Sequence, residues 1–158
     1  MTPTATLPAP LQSISSTHLF ALELNITAVQ RIGTDTIVGV VGGGSFEGSR
    51  LRGRVLEGGS DWQRVMPDGT VLLDCRIVLE TAPGELIAMT YQGVRSGPPD
   101  VLARLAQGAD VRADDYYLRI APLFRAQSSA HAWLNKLVAV GTGMRLPKGP
   151  IYNVFEVL

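Results

Sequence analysis

The chain has 158 residues, a common length for a single domain and enough to bury a core without disulfides or metals. Apolar residues make up 46% and charged residues 18%, a composition that excludes a disordered chain. Lys and Arg together number 14, as do Asp and Glu, so no net positive charge attracts nucleic acid or an anionic membrane. We therefore predict one folded domain that binds neither nucleic acid nor a membrane.

The amino-terminal segment and the single cysteine bear on location. Residues 1–12 contain three prolines and no Lys or Arg, so they lack the pattern of a secretory signal. We expect residues 1–17 to be a flexible lead-in and residues 18–158 to form the domain. No apolar run approaches the roughly 18–20 residues that span a bilayer. Cys75 has no partner for an intramolecular disulfide and fits a reducing compartment, so we expect a soluble, cytoplasmic protein.

Short runs rich in Val, Ile, Leu, Thr and Tyr alternate with Gly and Pro along the chain, which is typical of an antiparallel β-protein. In the first run, Phe20, Leu22 and Leu24 share one face, as in a half-buried strand. The predicted strands are Leu19–Ile26, Ile37–Val41, Leu51–Leu56, Val71–Glu80, Leu86–Val94, Tyr116–Pro122, Lys136–Gly141 and Ile151–Val157. Eight strands predict an all-β fold, a single antiparallel β-barrel.

Turns and short helices lie between these strands. Pro67–Gly69 and Ala82–Glu85 have the residues of tight hairpin connections. Pro99–Gln107 predicts a helix that is capped by Asp100 and lies across a rim or an end of the barrel. Ser129–Asn135 predicts one more helical turn.

The polar residues of Val71–Glu80 can face either side of a barrel wall. Asp74 and Arg76 share one face of this strand, and Cys75 lies on the apolar face. On the outside, the pair would be solvated. On the inside, an acid and a base two residues apart would form a fixed pair in a ligand cavity, because a buried pair must be well hydrogen-bonded. Alternation alone does not decide between the outward and the inward orientation of the pair. It does predict that Cys75 is an inert core thiol.

Other strands repeat such pairs of polar or aromatic residues on one face. They are Tyr91 with Arg95, Tyr117 with Arg119, and Trp133 with Asn135. These side chains orient a carbonyl or a carboxylate in a pocket, and they are also common on sheet surfaces.

Three further features of the sequence can have either a functional or an ordinary structural role. Gly58–Gln63 combines flexible backbone with Asp61 and Trp62, which indicates either the wall of a binding site or a turn that packs Trp62 over the barrel mouth. Gly42–Gly48 lacks the Lys and Ser or Thr of a phosphate-binding loop and predicts a hairpin with a bulge. The two histidines lack the spacing of a metal site, so we predict neither a metal nor another cofactor.

Six short segments, taken in order, resemble domain-of-unknown-function family 3237. They are Gly43–Gly48, Leu51 to Trp62, Pro67–Gly69, Asp74–Arg76, Tyr117–Pro122, and Trp133–Asn135 with Val140–Gly141. The resemblance covers nearly everything from about Leu19 to Leu158. It implies a compact antiparallel β-barrel, similar in outline to the lipocalin and allene oxide cyclase barrels, with a central cavity and no settled activity.

The resemblance also favours an inward pocket. The matching positions are Asp61, Trp62, Asp74, Arg76, Tyr117, Arg119, Trp133 and Asn135. The chain departs from the family at Cys75, where Ala is more frequent, and at Leu118 and Ile120, where aromatic and polar residues are frequent. These departures would change the shape of the ligand that the pocket accepts.

Our leading hypothesis is a metal-free isomerase, lyase or cyclase that acts on a small, partly apolar carbonyl compound. An arginine would polarise an oxygen, a tyrosine would donate a proton and an aspartate would serve as base. The predicted catalytic residues are Asp74, Arg76, Tyr117 and Arg119, and the predicted ligand-binding residues are Asp61, Trp62, Tyr91, Arg95, Trp133 and Asn135.

Two other functions use the same fold. A non-catalytic carrier or sensor would hold a small molecule in the cavity, and a structural subunit would have a filled barrel. The exposed strands or rims could also support a homo-oligomer, whose symmetry the sequence does not give.

Overall fold

A computed structural model describes residues 1–158 and contains nine antiparallel strands in one sheet. They are β1 (Ser16–Ile32), β2 (Thr36–Glu47), β3 (Arg52–Val55), β4 (Gly59–Val65), β5 (Val71–Thr81), β6 (Leu86–Ser96), β7 (Tyr117–Ala126), β8 (Val138–Leu146) and β9 (Gly149–Val157). Strand β1 pairs with both β2 and β9, which closes the sheet into a barrel. The predicted all-β class and the antiparallel barrel are confirmed.

Strands β3 and β4 share one position in the barrel wall. Each pairs with β2 on one side and with β5 on the other, at different heights. The wall therefore has eight positions, with one strand extra. Each predicted strand overlaps an observed one, but β4 was missing from the prediction because its first residues, Gly59 and Ser60, have the composition of a turn.

Helices are few and short: α1 (Pro3–Thr6), α2 (Pro99–Ala106), and three 3₁₀ turns at Ala9–Leu11, Ala113–Asp115 and Ala132–Lys136. Helix α2 matches its prediction and buries Val101, Leu102 and Leu105. Its N-cap is Pro98 rather than Asp100, which lies in the first turn. Neither helix has the length and apolar character needed to cross a membrane.

Strand β5 decides between the two orientations of its polar face. Val71, Leu73 and Cys75 point into the barrel, whereas Asp74 and Arg76 are exposed on the outside. The hypothesis of an inward Asp74–Arg76 pair is therefore wrong. The unbroken apolar face fills the interior, and turning it outward would bury two charges at a cost of several kcal/mol.

The glycine-rich segment lies inside a strand. Residues 42–47 belong to β2 and face β1, and the turn between these strands is at residues 33–35. The predicted hairpin turn is wrong here, although β1 does shift register between Asn25 and Ala28. A Cβ at Gly44 would lie 2.0 Å from the Glu23 carbonyl oxygen, so glycine lets the two strands approach closely.

Both predicted hairpin turns are confirmed. Between β4 and β5, the Gly69 amide donates to the Met66 carbonyl over 2.9 Å, and the Asp68 carboxylate accepts from the Thr70 amide over 2.9 Å. Between β5 and β6, the Gly84 amide donates to the Thr81 carbonyl over 2.8 Å. Glycine supplies the positive φ in each turn, +87° at Gly69 and +95° at Gly84.

The barrel interior is packed at one end and hollow at the other. At the packed end, the Phe20 ring meets Phe46 and Phe124 edge-on, with centroids 5.6 and 5.9 Å apart. Buried Leu22, Leu79, Ile87 and Met89 belong to the same hydrophobic core. The hollow end is closed in part by α2.

Candidate functional site

A cavity of about 540 Å³ occupies the hollow end, which we call the barrel cavity. Leu73 and Leu118 give it apolar wall, and Leu102 of α2 lines it as well. This agrees with the prediction that the helix lies across an end of the barrel. The volume is within the range of roughly 300–1,000 Å³ that is typical of small-molecule sites.

Strand register brings three buried side chains into one row beneath this cavity. Asp61 of β4 lies opposite Cys75 of β5, and Cys75 lies opposite Tyr91 of β6. All three point inward and are at most 2% exposed. Residues far apart in the sequence therefore meet because the strands that carry them are neighbours in the sheet.

A group of polar side chains lies at this level, and we call it the inner polar cluster. Its members are Asp61, Gln63, Tyr91, Arg95 and Tyr152. Four of them line the barrel cavity, and Tyr91 packs directly against one of those four, Tyr152.

The carboxyl group of Asp61 is buried and incompletely hydrogen-bonded. Gln63 Nε2 donates to Oδ2 over 3.1 Å, while Oδ1 has no partner in the protein. Burial raises the pKa of Asp61 above its ordinary value, an effect that the Gln63 hydrogen bond and the charge of Arg95 only partly oppose. A raised pKa makes a carboxylate a stronger base, which suits it to accept a proton.

Two tyrosines stand beside this carboxyl. The rings of Tyr91 and Tyr152 meet edge-on with centroids 5.4 Å apart. Burial raises the pKa of both hydroxyls, so each stays protonated and can donate a hydrogen bond. The Tyr91 hydroxyl is buried without a partner.

Arg95 brings positive charge into the same space. It shares a face of β6 with Tyr91, as the sequence predicted, and the structure turns that face inward; the Arg95 Nε is buried without a partner. Burial lowers the pKa of Arg95, and the nearby charge of Arg145 lowers it further. Arginine side chains nevertheless keep their charge in proteins.

Cys75 does not have the properties of a nucleophile. Its side chain is fully buried, and burial together with the nearby Asp61 raises the pKa of the thiol. A reactive cysteine has a lowered pKa and an accessible sulfur. The predicted role as an inert core thiol fits these properties.

The four predicted catalytic residues lie outside the barrel. Asp74, Arg76, Tyr117 and Arg119 are all exposed on the outer face, and none lines the barrel cavity. Asp74, Tyr117 and Arg119 line a shallow outer hollow of about 1030 Å³. Trp62 lines it as well. The Arg119 guanidinium lies 4.7 Å from the Tyr117 ring centroid. Solvent screens these charges, so a pocket on this face would act weakly on a substrate.

Trp133 and Asn135 also lie away from the barrel cavity. Asn135 accepts from the Ala126 amide over 2.8 Å and donates to the Ala126 carbonyl over 2.7 Å, which fastens the 3₁₀ turn to β7. Trp133 donates to the Ala130 carbonyl over 3.1 Å and stacks under the Arg50 guanidinium at 3.5 Å. Both side chains thus contact other parts of the protein, and neither lines the barrel cavity.

Of the ten predicted site residues, the structure brings Asp61, Tyr91 and Arg95 together at the barrel cavity. The sequence reasoning missed Gln63, Arg145 and Tyr152. Alternation with Val154 could have identified Tyr152 as inward, since Ile151–Val157 was a predicted strand. Gln63 and Arg145 lay outside every predicted strand, so alternation could not predict whether their side chains point inward.

Residues 14–157 match the model of a family described as "Protein of unknown function (DUF3237)". The chain belongs to the DUF3237 family. The resemblance found in the six sequence segments is thereby confirmed, and the match includes the whole barrel.

Similar proteins from several organisms share this fold. The UPF0311 protein RPA1785 of Rhodopseudomonas palustris is 29% identical to this DUF3237 chain over 142 residues, which span 84% of this chain and 93% of that protein. Its crystal structure has a TM-score of 0.90 at 26% identity and covers 92% of this chain and 98% of that chain.

Two further crystal structures extend the comparison. A beta-barrel like protein, ABAYE2633 of Acinetobacter baumannii AYE, is 35% identical with a TM-score of 0.80, covering 96% of this chain and 100% of that chain. An enzyme from Penicillium herquei is 20% identical with a TM-score of 0.69, covering 96% of this chain and 100% of that one. This last likeness shows a shared fold alone.

Proposed function

We propose that this DUF3237 protein is a metal-free isomerase, lyase or cyclase, and that it binds a small, partly apolar carbonyl compound in the barrel cavity. The observation that carries the proposal is Asp61, a carboxyl that is 2% exposed, lines the cavity and has one oxygen without a partner. Natural folds avoid such groups unless they serve a purpose, because an unsatisfied buried polar group costs about 1–3 kcal/mol.

The chemistry would begin with a proton transfer. The Asp61 carboxylate takes a proton from the carbon next to the substrate carbonyl, and the electron pair of that C–H bond moves onto the carbonyl oxygen. Tyr152 and Arg95 would donate hydrogen bonds to this oxygen as its negative charge develops. In an isomerase, Asp61 then returns the proton to a different carbon. In a lyase, the electron pair instead returns from the oxygen, a C=C bond forms, and the bond to a leaving group on the next carbon breaks; the leaving group departs with that bond's electrons and can take the proton from Asp61.

The fold is compatible with catalysis, since the neighbour from Penicillium herquei is described as an enzyme. A carrier would need the same cavity but no proton transfer. A structural subunit with a filled barrel is less well supported, because about 540 Å³ of the interior is hollow.

The first test is hydrogen–deuterium exchange at carbon. We expect the protein to accelerate exchange of the methyl protons of 4-phenylbut-3-en-2-one in D₂O, followed by proton NMR. Asp61→Asn should slow the catalysed exchange by about 10²- to 10⁴-fold, the usual contribution of a general base. Binding of the ketone, measured by thermal shift, should persist because the cavity keeps its shape.

Asp74→Asn is the matched comparison, since Asp74 is the exposed aspartate on the neighbouring strand and lies outside the cavity. Loss of exchange in Asp74→Asn but not in Asp61→Asn would move the site to the outer hollow. Binding without any exchange would favour the carrier.

A further inference from the structure

The barrel cavity is positively charged although the protein is not. Its lining includes four cationic and two acidic side chains, namely Arg31, Arg95, Arg145 and Lys148 against Asp61 and Asp68. Over the whole sequence, the two kinds of charge are equal at 14 each. The excess positive charge is therefore local to the lining of this space, where Arg95 is half-buried and Arg31, Arg145 and Lys148 are exposed.

Two of the cations that line the cavity have no counter-ion: Arg95, which belongs to the inner polar cluster, and Arg145, which is exposed. Neither Arg95 nor Arg145 forms an ion pair with any carboxylate of the protein. Arg145 makes only a long hydrogen bond, 3.4 Å from Nη1 to the Leu105 carbonyl, and the Arg95 Nε makes none. Arg95 is half-buried and its Nε has no partner, which is costly, and the charge of the nearby Arg145 adds repulsion.

Asp61 forms no ion pair with either arginine. Its hydrogen bond goes to Gln63, and no nitrogen of Arg95 lies within ion-pairing distance of it. The positive charge at this level of the cavity thus remains available to a ligand.

We propose that Arg95 and Arg145 form a carboxylate subsite, and that the substrate is an anionic acid whose apolar body lies against Leu73 and Leu118. This rests on the proposed function, whose substrate class it narrows from carbonyl compounds to carbonyl compounds that carry a carboxylate. Guanidinium groups suit this ligand because their N–H donors match the two carboxylate oxygens.

The test compares two probes that have the same shape and differ in charge, trans-cinnamate and trans-cinnamamide. Isothermal titration calorimetry of the wild-type protein should give a dissociation constant about tenfold lower for cinnamate, equivalent to about 1.4 kcal/mol. Arg95→Gln and Arg145→Gln should each remove most of this preference by weakening cinnamate and leaving cinnamamide nearly unchanged. Arg125→Gln removes an exposed arginine on the outer face of β7 and should keep the full preference.

The proposal is overturned if cinnamamide binds as tightly as cinnamate, if neither probe binds, or if the preference survives in both variants. Thermal unfolding checks that each variant is folded. Should Arg95→Gln fail to fold, Arg95→Lys keeps the charge without the planar fork and should retain part of the preference, and Arg145→Gln still tests the subsite.

Exchange measurements with the uncharged ketone separate this proposal from the function on which it rests. If exchange depends on Asp61 but cinnamate is not preferred, the carboxylate subsite is wrong and the acid–base function stands. If cinnamate is preferred over cinnamamide through the two arginines but no exchange occurs, the acid–base function is wrong and a binding site for anionic ligands stands.

Discussion

The carboxyl of Asp61 carries an energetic cost that the rest of the fold offsets. It is buried with one hydrogen bond and one unpartnered oxygen, so the folded protein holds the proton more tightly than the unfolded chain does. Residues kept for chemistry often lower stability in this way, because an environment that perturbs a pKa is also one that solvates a charge poorly.

The pH dependence of stability tests this directly. The folded pKa of Asp61 is raised, so its favourable contribution is fully present below the unfolded value of about 3.9 and is lost as pH rises through the folded pKa. Asp61→Asn does not titrate. We expect its free energy of unfolding, from urea denaturation, to match the wild type near pH 4 and to exceed it increasingly toward neutral pH.

Asp68 provides a control with the opposite sign. It accepts a hydrogen bond from the Thr70 amide, which lowers its pKa, so its contribution is present above about pH 4 and is lost as pH falls through the folded pKa. Asp68→Asn should therefore be less stable than wild type at neutral pH and approach it in acid. A stability difference for Asp61→Asn that does not change with pH would contradict the assignment.

At the scale of elements, the 3₁₀ turn at Ala132–Lys136 is held to the end of β7 by one side chain. Asn135 pairs with both backbone groups of buried Ala126, as a neighbouring strand would. Asn135→Ala leaves these groups without partners and should lower the free energy of unfolding by about 1–3 kcal/mol. Chemical denaturation measures this.

The comparison variant is Lys136→Ala, which removes an exposed side chain in the same turn and should change stability little. Affinity for trans-cinnamate should be the same in both variants as in wild type. A selective loss of cinnamate binding in Asn135→Ala would instead support the ligand-binding role that the sequence predicted.

Strands β8 and β9 make room for Tyr152 through a glycine. Gly143 lies opposite Tyr152, and a Cβ there would come within 2.4 Å of the tyrosine ring. Gly143→Ala should displace this ring from the inner polar cluster and destabilise the fold by about 1–3 kcal/mol, the usual effect of overpacking.

A double-mutant cycle with Tyr152→Leu identifies the cause, because the smaller side chain relieves the clash. The penalty of Gly143→Ala should be clearly smaller in the Tyr152→Leu background. An equal penalty in both backgrounds would show that the ring is not what the new methyl meets.

Local sequence pattern predicted most strands because a half-buried strand alternates, and this alternation is visible in Leu19–Ile26 and Val71–Glu80. It failed for β4, whose first residues, Gly59 and Ser60, resemble a turn although the strand lies between β2 and β5. Asp61 was selected as a site residue from its neighbours in sequence. Its place in the interior comes from a strand that was not predicted.

At the scale of the whole molecule, the candidate site depends on closure, which no local pattern encodes. Asp61, Cys75 and Tyr91 align only through the register of three strands, and Tyr152 joins them from β9. The inward or outward direction of Asp74 likewise follows from which face the closed wall turns inside. Alternation shows that two faces differ, and the packed interior determines which one is buried.

The pairing of β1 with β9 also orders events in time. A ribosome releases β1 first and β9 last, so the wall retains a gap until residues 149–157 have been synthesised. Until then, the inner apolar face and the unpaired edges of β1 and β8 are open to other chains. The nascent chain is therefore exposed to aggregation until β9 has been synthesised, because this strand both completes the barrel and carries Tyr152 to the cavity.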